Sequence, residues 1–352
     1  MIVIFRSFLV LACGAFCITA CKNHNGDVKQ QGQHKDSAAH AVVIDTITPK
    51  ILVYSQRITS NPKDADAYWN RGKLEVAQKN INAAYDDFIK ALNIDSTKAD
   101  YYFNLADVDF VRGKTRDAKQ LFEKCILLNP KHTEALLKLG EIYFYVKKYS
   151  EAISYLDKAL KTNPYSGKAY FMKGMIFLET GDTTKALSSM QTAVEQDTKY
   201  YDAYIELGLL YARKGNARAL DYYNDAINIE PNNLEPYYDK GIFYQFGSDF
   251  NDAIGAYKQV LSIDSTYKFA LYNLGVVYYI GPKDYKQAIY YFTKTVQRDT
   301  AYVLAYYGRA NCYAELGEYD KSMADYSHVL SLKPNFKQAQ DEYNEVKRKA
   351  HK

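Results

Sequence analysis

Residues 133–166 read TEALLKLGEIYFYVKKYSEAISYLDKALKTNPYS, and the spacing within them decides the fold. A small residue, Gly140, is followed twelve positions later by Ala152 and four beyond that by the large apolar Leu156. The same triplet occurs eight times, from Gly72, Ala84 and Phe88 at one end to Ala310, Ser322 and Tyr326 at the other. Successive copies stand about 34 residues apart, a period that belongs to stacked helical hairpins. The small residue lets one helix approach its partner, and the large one fills the space beside it. Such an array grows without adding new cores, so the 352 residues need not divide into several globular domains.

Working outward, the copies mark eight units near 65–98, 99–132, 133–166, 167–200, 201–233, 234–267, 268–302 and 303–336. Each reads as helix, turn, helix. Gly113, Gly181, Gly215 and Gly317 share one turn position, where the chain reverses with positive φ. Pro130, Pro164, Pro231 and Pro334 stand where the second helix must stop. Unit five lacks one residue and unit seven gains one near Gly281-Pro282, both in the turn, where packing register is unaffected. Residues 47–64 are expected to form a capping helix, and 337–352 a second cap with a basic tail, each covering an apolar end.

The pattern resembles the tetratricopeptide repeat. In that family an aromatic or large residue precedes the small one, a Tyr follows it, and Ala, a large apolar residue, Ala and Pro come after. Unit three supplies Leu136, Gly140, Tyr143, Ala152, Leu156, Ala159 and Pro164; unit five supplies Tyr204, Gly208, Tyr211, Ala219, Tyr223, Ala226 and Pro231. The resemblance covers about residues 47–350 and implies an all-α, right-handed solenoid of helix-turn-helix repeats. Units one and two depart from it with Glu75 and Asp109 in place of the Tyr. A buried unpaired carboxylate is costly, so these units are expected to pair the acids or pack loosely, leaving the amino-terminal end the more mobile.

The amino terminus carries a second signal. Residues 1–20 hold one charge, Arg6, followed by an apolar run from Phe8 to Ala20 that suits a signal peptide and is short for a membrane span. The run ends Ile18-Thr19-Ala20-Cys21, which resembles the lipobox of bacterial lipoproteins. That resemblance implies cleavage before Cys21, acylation of Cys21 and a lipid anchor in the cell envelope; Lys22, in place of a retention Asp, points to the outer membrane. Residues 21–46 follow as a polar tether. Its His24, His34 and His40 are read as solvated linker residues. Cys125 and Cys312 remain in the repeats, too far apart in an array for a disulfide, and are read as small hydrophobes.

Chemistry is harder to find. The sequence has no glycine-rich phosphate loop, no paired cysteines and no His-Glu-x-x-His helix, so no enzyme, cofactor, metal site or small-molecule substrate is expected. The formal charge is only +4 and the basic residues are scattered, which argues against nucleic acid. Hydrophobic residues make up 47%, and the 35 Tyr against 1 Trp suit half-buried seams between helices. The family resemblance places function on the concave face, at the second, fifth, ninth and twelfth positions of each unit. In units four to seven the fifth and ninth positions are apolar, as are Leu178 and Tyr279 at the twelfth. Phe171, Met175, Leu178, Ile205, Leu209, Tyr238, Ile242, Tyr272, Val276 and Tyr279 are therefore the candidate partner-binding residues, suited to an amphipathic helix or extended peptide. A filled or tightly wound groove would make the same residues core.

The second positions, Asp66, Asp100, Glu134, Lys168, Asp202 and Glu235, are mostly acidic, as the first turn of a helix favours. The Lys and Asn with which some family members hold a carboxyl-terminal peptide are missing from the fifth and ninth positions. The expected function is a non-enzymatic scaffold for a protein partner of an envelope complex. The alternative is a glycan-binding lipoprotein whose aromatic rows stack on cell-wall sugars.

Overall fold

The computed structural model describes residues 37–351, and among them the fold is all-α, with eighteen helices and no strand. Helix α1 spans Ser37–Ser60. Eight pairs follow. They are α2 (Ala65–Ala77) with α3 (Ile81–Ile94), α4 (Ala99–Val111) with α5 (Thr115–Leu128), α6 (Thr133–Tyr145) with α7 (Tyr149–Thr162), and α8 (Gly167–Glu179) with α9 (Thr183–Gln196). Then come α10 (Tyr201–Ala212) with α11 (Arg218–Ile229), α12 (Glu235–Gly247) with α13 (Phe250–Ile263), α14 (Lys268–Ile280) with α15 (Tyr285–Arg298), and α16 (Val303–Glu315) with α17 (Tyr319–Leu332). Helix α18 (Lys337–Ala350) closes the chain. The pairs fall on the units read from the spacing. Helix α1 begins at Ser37, so residues 37–46, expected in the tether, are helical; Ala38, Ala39 and Ala41 are strong helix formers.

The chain divides into two compact units at Asp197 and Thr198. In the first, α1 packs on α2, the members of each pair pack on each other, and α3, α5 and α7 each pack on the next first helix. In the second, the same order holds from α10 to α18, with α17 packing on the closing helix. The triplet lies at the centre of every pair. Ala84, Ala118, Ala152, Ala186, Ala219, Ala253 and Ala288 are all buried, beside Phe88, Phe122, Leu156, Met190, Tyr223, Tyr257 and Phe292. Ser322 replaces the alanine in the last unit, and its hydroxyl donates to the Ala310 carbonyl at 2.8 Å, which satisfies a buried polar group inside the seam.

Turn chemistry repeats as strictly as packing. Gly113, Gly181, Gly215 and Gly317 adopt φ of 78°, 84°, 63° and 74°. In the other four units the left-handed residue is Lys79, Lys147, Ser248 or Lys283, with φ of 64°, 58°, 65° and 54°. The reversal needs one such residue per unit whatever its side chain, and only glycine adopts it without strain. After the second helices the chain is held by Asx turns: Asn129 accepts from the Lys131 amide at 3.1 Å and Asp264 from the Thr266 amide at 2.8 Å.

The two departures from the repeat pattern each face a polar neighbour. Glu75 accepts from Asn80 Nδ2 at 2.8 Å. Asp109 is buried and faces Arg112 Nη1 at 3.5 Å; burial raises its carboxyl above the usual range. In three units the Tyr stacks on a second tyrosine of the next helix: Tyr143 on Tyr155, Tyr211 on Tyr222 and Tyr278 on Tyr291, with centroids 5.3, 5.3 and 5.5 Å apart.

Candidate functional site

The first helices carry the candidate face. In the first compact unit several of its charged groups stand beside opposite charges. Asp66 accepts from Lys98 Nζ at 2.8 Å and from the Tyr101 hydroxyl at 2.6 Å. These contacts, with the Lys98 charge, hold its carboxyl below the usual range. His132 caps α6, its Nδ1 accepting from the Ala135 amide at 3.2 Å, while Nε2 faces Asp100 at 3.3 Å. Lys138 reaches Asp107 at 3.1 Å, and Lys168 reaches Glu141 at 3.7 Å. Lys73 lies over the Trp69 ring at 3.5 Å, and Trp69 Nε1 donates to Asn104 Oδ1 at 2.6 Å. Asp66 and Asp100, second-position acids, thus face basic side chains of the neighbouring unit as well as lying in the first turn.

None of the ten apolar candidates is exposed. Phe171, Met175 and Leu178 on α8 are half-buried, as are Leu209, Ile242 and Tyr279 on α10, α12 and α14. Ile205, Tyr238, Tyr272 and Val276 are only 5, 7, 6 and 2% exposed, so they are core rather than open surface. The open apolar row expected from the sequence is thus corrected at these four positions. At the two tyrosines the reason is a ring sandwich. Tyr238 packs on Tyr257 of its own pair at 5.8 Å and on Tyr267, just before the next first helix, at 5.4 Å. Tyr272 does the same with Phe292 and Tyr302, at 5.9 and 5.1 Å, and Tyr307 with Tyr326 and Phe336, at 5.9 and 5.1 Å. Two of the hydroxyl tips are satisfied: Asn273 Nδ2 donates to Tyr238 and Tyr257 at 3.2 Å each, and Tyr257 donates to Gln245 at 2.8 Å.

The second compact unit holds a different electrostatic arrangement on α10 and α12, which pack against each other. Asp202 and Glu206 stand one turn apart on α10, and Glu235 and Asp239 one turn apart on α12. Asp202 and Glu235 are exposed, Glu206 is half-buried and Asp239 is buried at 5% exposure. The Tyr201 hydroxyl donates to Glu235 at 3.3 Å. None of the four carboxylates forms a salt bridge, in contrast to the acids of the first unit. Burial, and then the neighbouring acids, raise Asp239 well above the usual carboxylate range. Burial is also the main cause that raises Glu206 and Glu235. The sequence reading singled out Asp202 and Glu235 but missed Glu206 and Asp239, four residues on. The i, i+4 repetition of acids on two successive first helices was the available signal.

Cys125 and Cys312 are both buried free thiols, and burial raises both, Cys125 to about 12, so neither is a ready nucleophile. Among the described residues no group of His, Cys, Asp and Glu is arranged to hold a metal ion. Nor is any described helix long and apolar enough to cross a membrane. The apolar run from Phe8 to Ala20, and Cys21 after it, lie outside the described residues.

The pairing, turn and seam geometry define a class, the helical-hairpin repeat array. Tetratricopeptide-repeat models match residues 65–98, 110–172, 171–233 and 303–336. The chain carries tetratricopeptide repeats, a family whose members are typically non-enzymatic interaction scaffolds. Serine/threonine-protein phosphatase 5 of Rattus norvegicus is 30% identical over 111 residues, 30% of this chain. The match spans only 22% of that relative's length. Among solved structures, the carboxyl-terminal part of a repeat-containing protein from Cytophaga hutchinsonii superposes with a TM-score of 0.60 at 21% identity, covering 68% of this chain and 98% of the other. PilF of Pseudomonas aeruginosa gives 0.51 at 19% identity, covering 58% and 95%. These two likenesses are of fold.

Proposed function

We propose that this chain is a non-enzymatic scaffold of the bacterial cell envelope, anchored through acylated Cys21, that binds a peptide or helix of a protein partner on the face of its first helices. The tetratricopeptide repeats themselves carry the scaffold reading. Their first helices present half-buried apolar side chains at the candidate positions, among them Leu209, Ile242 and Tyr279. Such side chains gain further burial when an amphipathic segment covers them. The anchor rests on the run ending Ile18-Thr19-Ala20-Cys21. Acyl chains add membrane affinity with each buried methylene, and two or more make a stable anchor.

In-cell crosslinking and affinity capture with mass spectrometry test the scaffold. The comparison is Leu209→Ala/Ile242→Ala/Tyr279→Ala, chosen because these side chains are not seam core. A partner captured by the native chain and lost with the triple variant is expected; identical capture by both would move the site to another face. Intact-mass measurement of the membrane fraction tests the anchor, and an unmodified Cys21 would end it.

A further inference from the structure

In the first compact unit α3 packs on α4 and α5 on α6, so the turns inside hairpins one to three stand side by side along one edge. Apolar side chains point outward there. Val111 and Tyr145 end α4 and α6, Val146 follows Tyr145, and the three are 65, 66 and 55% exposed. Uncovered apolar side chains grouped on neighbouring hairpins mark an interface. Basic residues are interleaved with them. The equivalent segments 77–83, 111–117 and 145–151 hold Lys79, Arg112, Lys114, Arg116, Lys147 and Lys148 against the acids Asp117 and Glu151. Arg112 faces Asp109 at 3.5 Å, and Lys148 faces Glu151 at 3.9 Å. The other four bases are exposed and enter no salt bridge among the described residues. The matching segment of unit four, 179–185, reverses the balance: it holds Glu179 and Asp182, and its one base, Lys185, pairs with Asp182 at 2.8 Å.

We propose that this edge rests on the anionic surface of a phospholipid bilayer, with Val111, Tyr145 and Val146 entering the headgroup layer and Lys79, Lys114, Arg116 and Lys147 on lipid phosphates. The proposal rests on the anchored reading above and specifies which side of the repeat array meets the membrane. The edge matches such a surface in both respects. Anionic headgroups attract Lys and Arg held beside them, and the headgroup boundary takes up tyrosine and aliphatic side chains. The long stems of Lys and Arg keep their charge at the phosphates while shorter neighbours go deeper. Position along the chain favours lipid over an acidic protein. Cys21, the proposed anchor, stands shortly before Ser37, where α1 begins, and α1 packs on the first helix of unit one. Acylation there holds the bilayer at high local concentration beside units one to three, so a contact that is weak by itself becomes occupied.

The test places an environment-sensitive fluorophore on Val111→Cys in the full chain, purified from membranes and reconstituted in phosphatidylcholine vesicles with and without phosphatidylglycerol. Cys125 and Cys312 are buried and escape the label. Tyr165→Cys is the control: Tyr165 is exposed and lies in the connection after α7, at the other end of the hairpin from the turn. Peptide mapping places the label, and thermal melts verify the fold of each variant. The expected result is a blue shift at position 111 but not at 165, in phosphatidylglycerol vesicles only, that fades as salt rises and is lost on adding Lys79→Glu/Lys147→Glu. A vesicle-bound chain with no shift at position 111, or with equal shifts at both positions, would overturn the edge and leave the anchor standing. An unmodified Cys21 would end the anchor; the shift at position 111 on added vesicles would then still decide the edge. A shift without vesicles that grows with protein concentration would also overturn the proposal, giving the edge to a second copy of the chain.

Discussion

Arg309 and Asp325 face each other as a two-pronged pair across α16 and α17: Nε donates to Oδ2 at 2.7 Å and Nη2 to Oδ1 at 2.8 Å. Arg71 and Asp87 repeat the geometry across α2 and α3, at 2.8 and 2.7 Å. Each arginine also reaches back to the preceding helix, Arg309 to the Thr293 hydroxyl and Arg71 to the Ser55 hydroxyl, both at 3.1 Å. In units two, three, five and seven the arginine's position is held by Leu105, Leu139, Leu207 and Leu274, all buried. The first and last repeats thus use a charged clamp where these inner repeats use hydrocarbon. The fork of arginine fits a carboxylate in a way lysine does not.

Asp325→Ala should destabilise the protein by about 3 kcal/mol, because it leaves Arg309 buried without its partner. Its side chain and that of Arg309 are only 10 and 16% exposed, so solvent screens the pair weakly. Arg309→Leu/Asp325→Ala, which recreates the pattern of the inner repeats, should recover most of that loss. Denaturant unfolding of the three forms decides it; equal losses for the single and double variants would show that the clamp is not a coupled pair.

Lys147→Gly should stabilise the chain by about 0.5–1 kcal/mol. Lys147 holds φ of 58° at the turn position where four other units use glycine. A side chain in the left-handed region costs about 1 kcal/mol, and glycine's greater unfolded-state freedom offsets part of the gain. A lower denaturation midpoint for the variant would contradict this.

Gly275 occupies the seam position instead, and its need is space. A Cβ there would stand 2.6 Å from Cδ1 and Cε1 of Phe292, a fully packed ring. Gly275→Val should cost roughly 2–3 kcal/mol through overpacking, and Phe292→Leu in the same chain should return part of it. Additive losses in thermal melts would show that the two sites do not touch.

Asp239→Asn should raise stability at neutral pH by about 1–3 kcal/mol, the scale of an unpartnered buried polar group. The native carboxyl is raised in the folded state by burial and by Glu235 and Glu206. Between the ordinary carboxylate range and that raised value the folded chain binds the extra proton, so stability falls as pH rises through the window. The advantage of the asparagine should therefore shrink on acidification. Asp202, Glu206 and Glu235 face the same site and are raised in the same direction, so the comparison is between the two forms at each pH. A pH-independent difference in Tm would refute the assignment.

The triplet of small residue, alanine and large side chain was enough to place every hairpin, because packing within a hairpin is local and its period is written in the chain. Gly140 with Leu156, or Gly275 with Phe292, are near neighbours in sequence and meet in space for that reason. The turn glycines were legible on the same grounds, although Lys79, Lys147, Ser248 and Lys283 hold the same backbone with no glycine to announce it. What tertiary structure alone decided was burial between repeats. Tyr238 and Tyr272 read as open face from their position within one unit, yet Tyr267 and Tyr302 of the following connections cover them. Asp239 and Asn273 share a repeat position, and only the neighbouring hairpin makes one a satisfied donor and the other an unneutralised acid. Sequence period fixes what each helix presents; desolvation and charge depend on what the next hairpin brings against it.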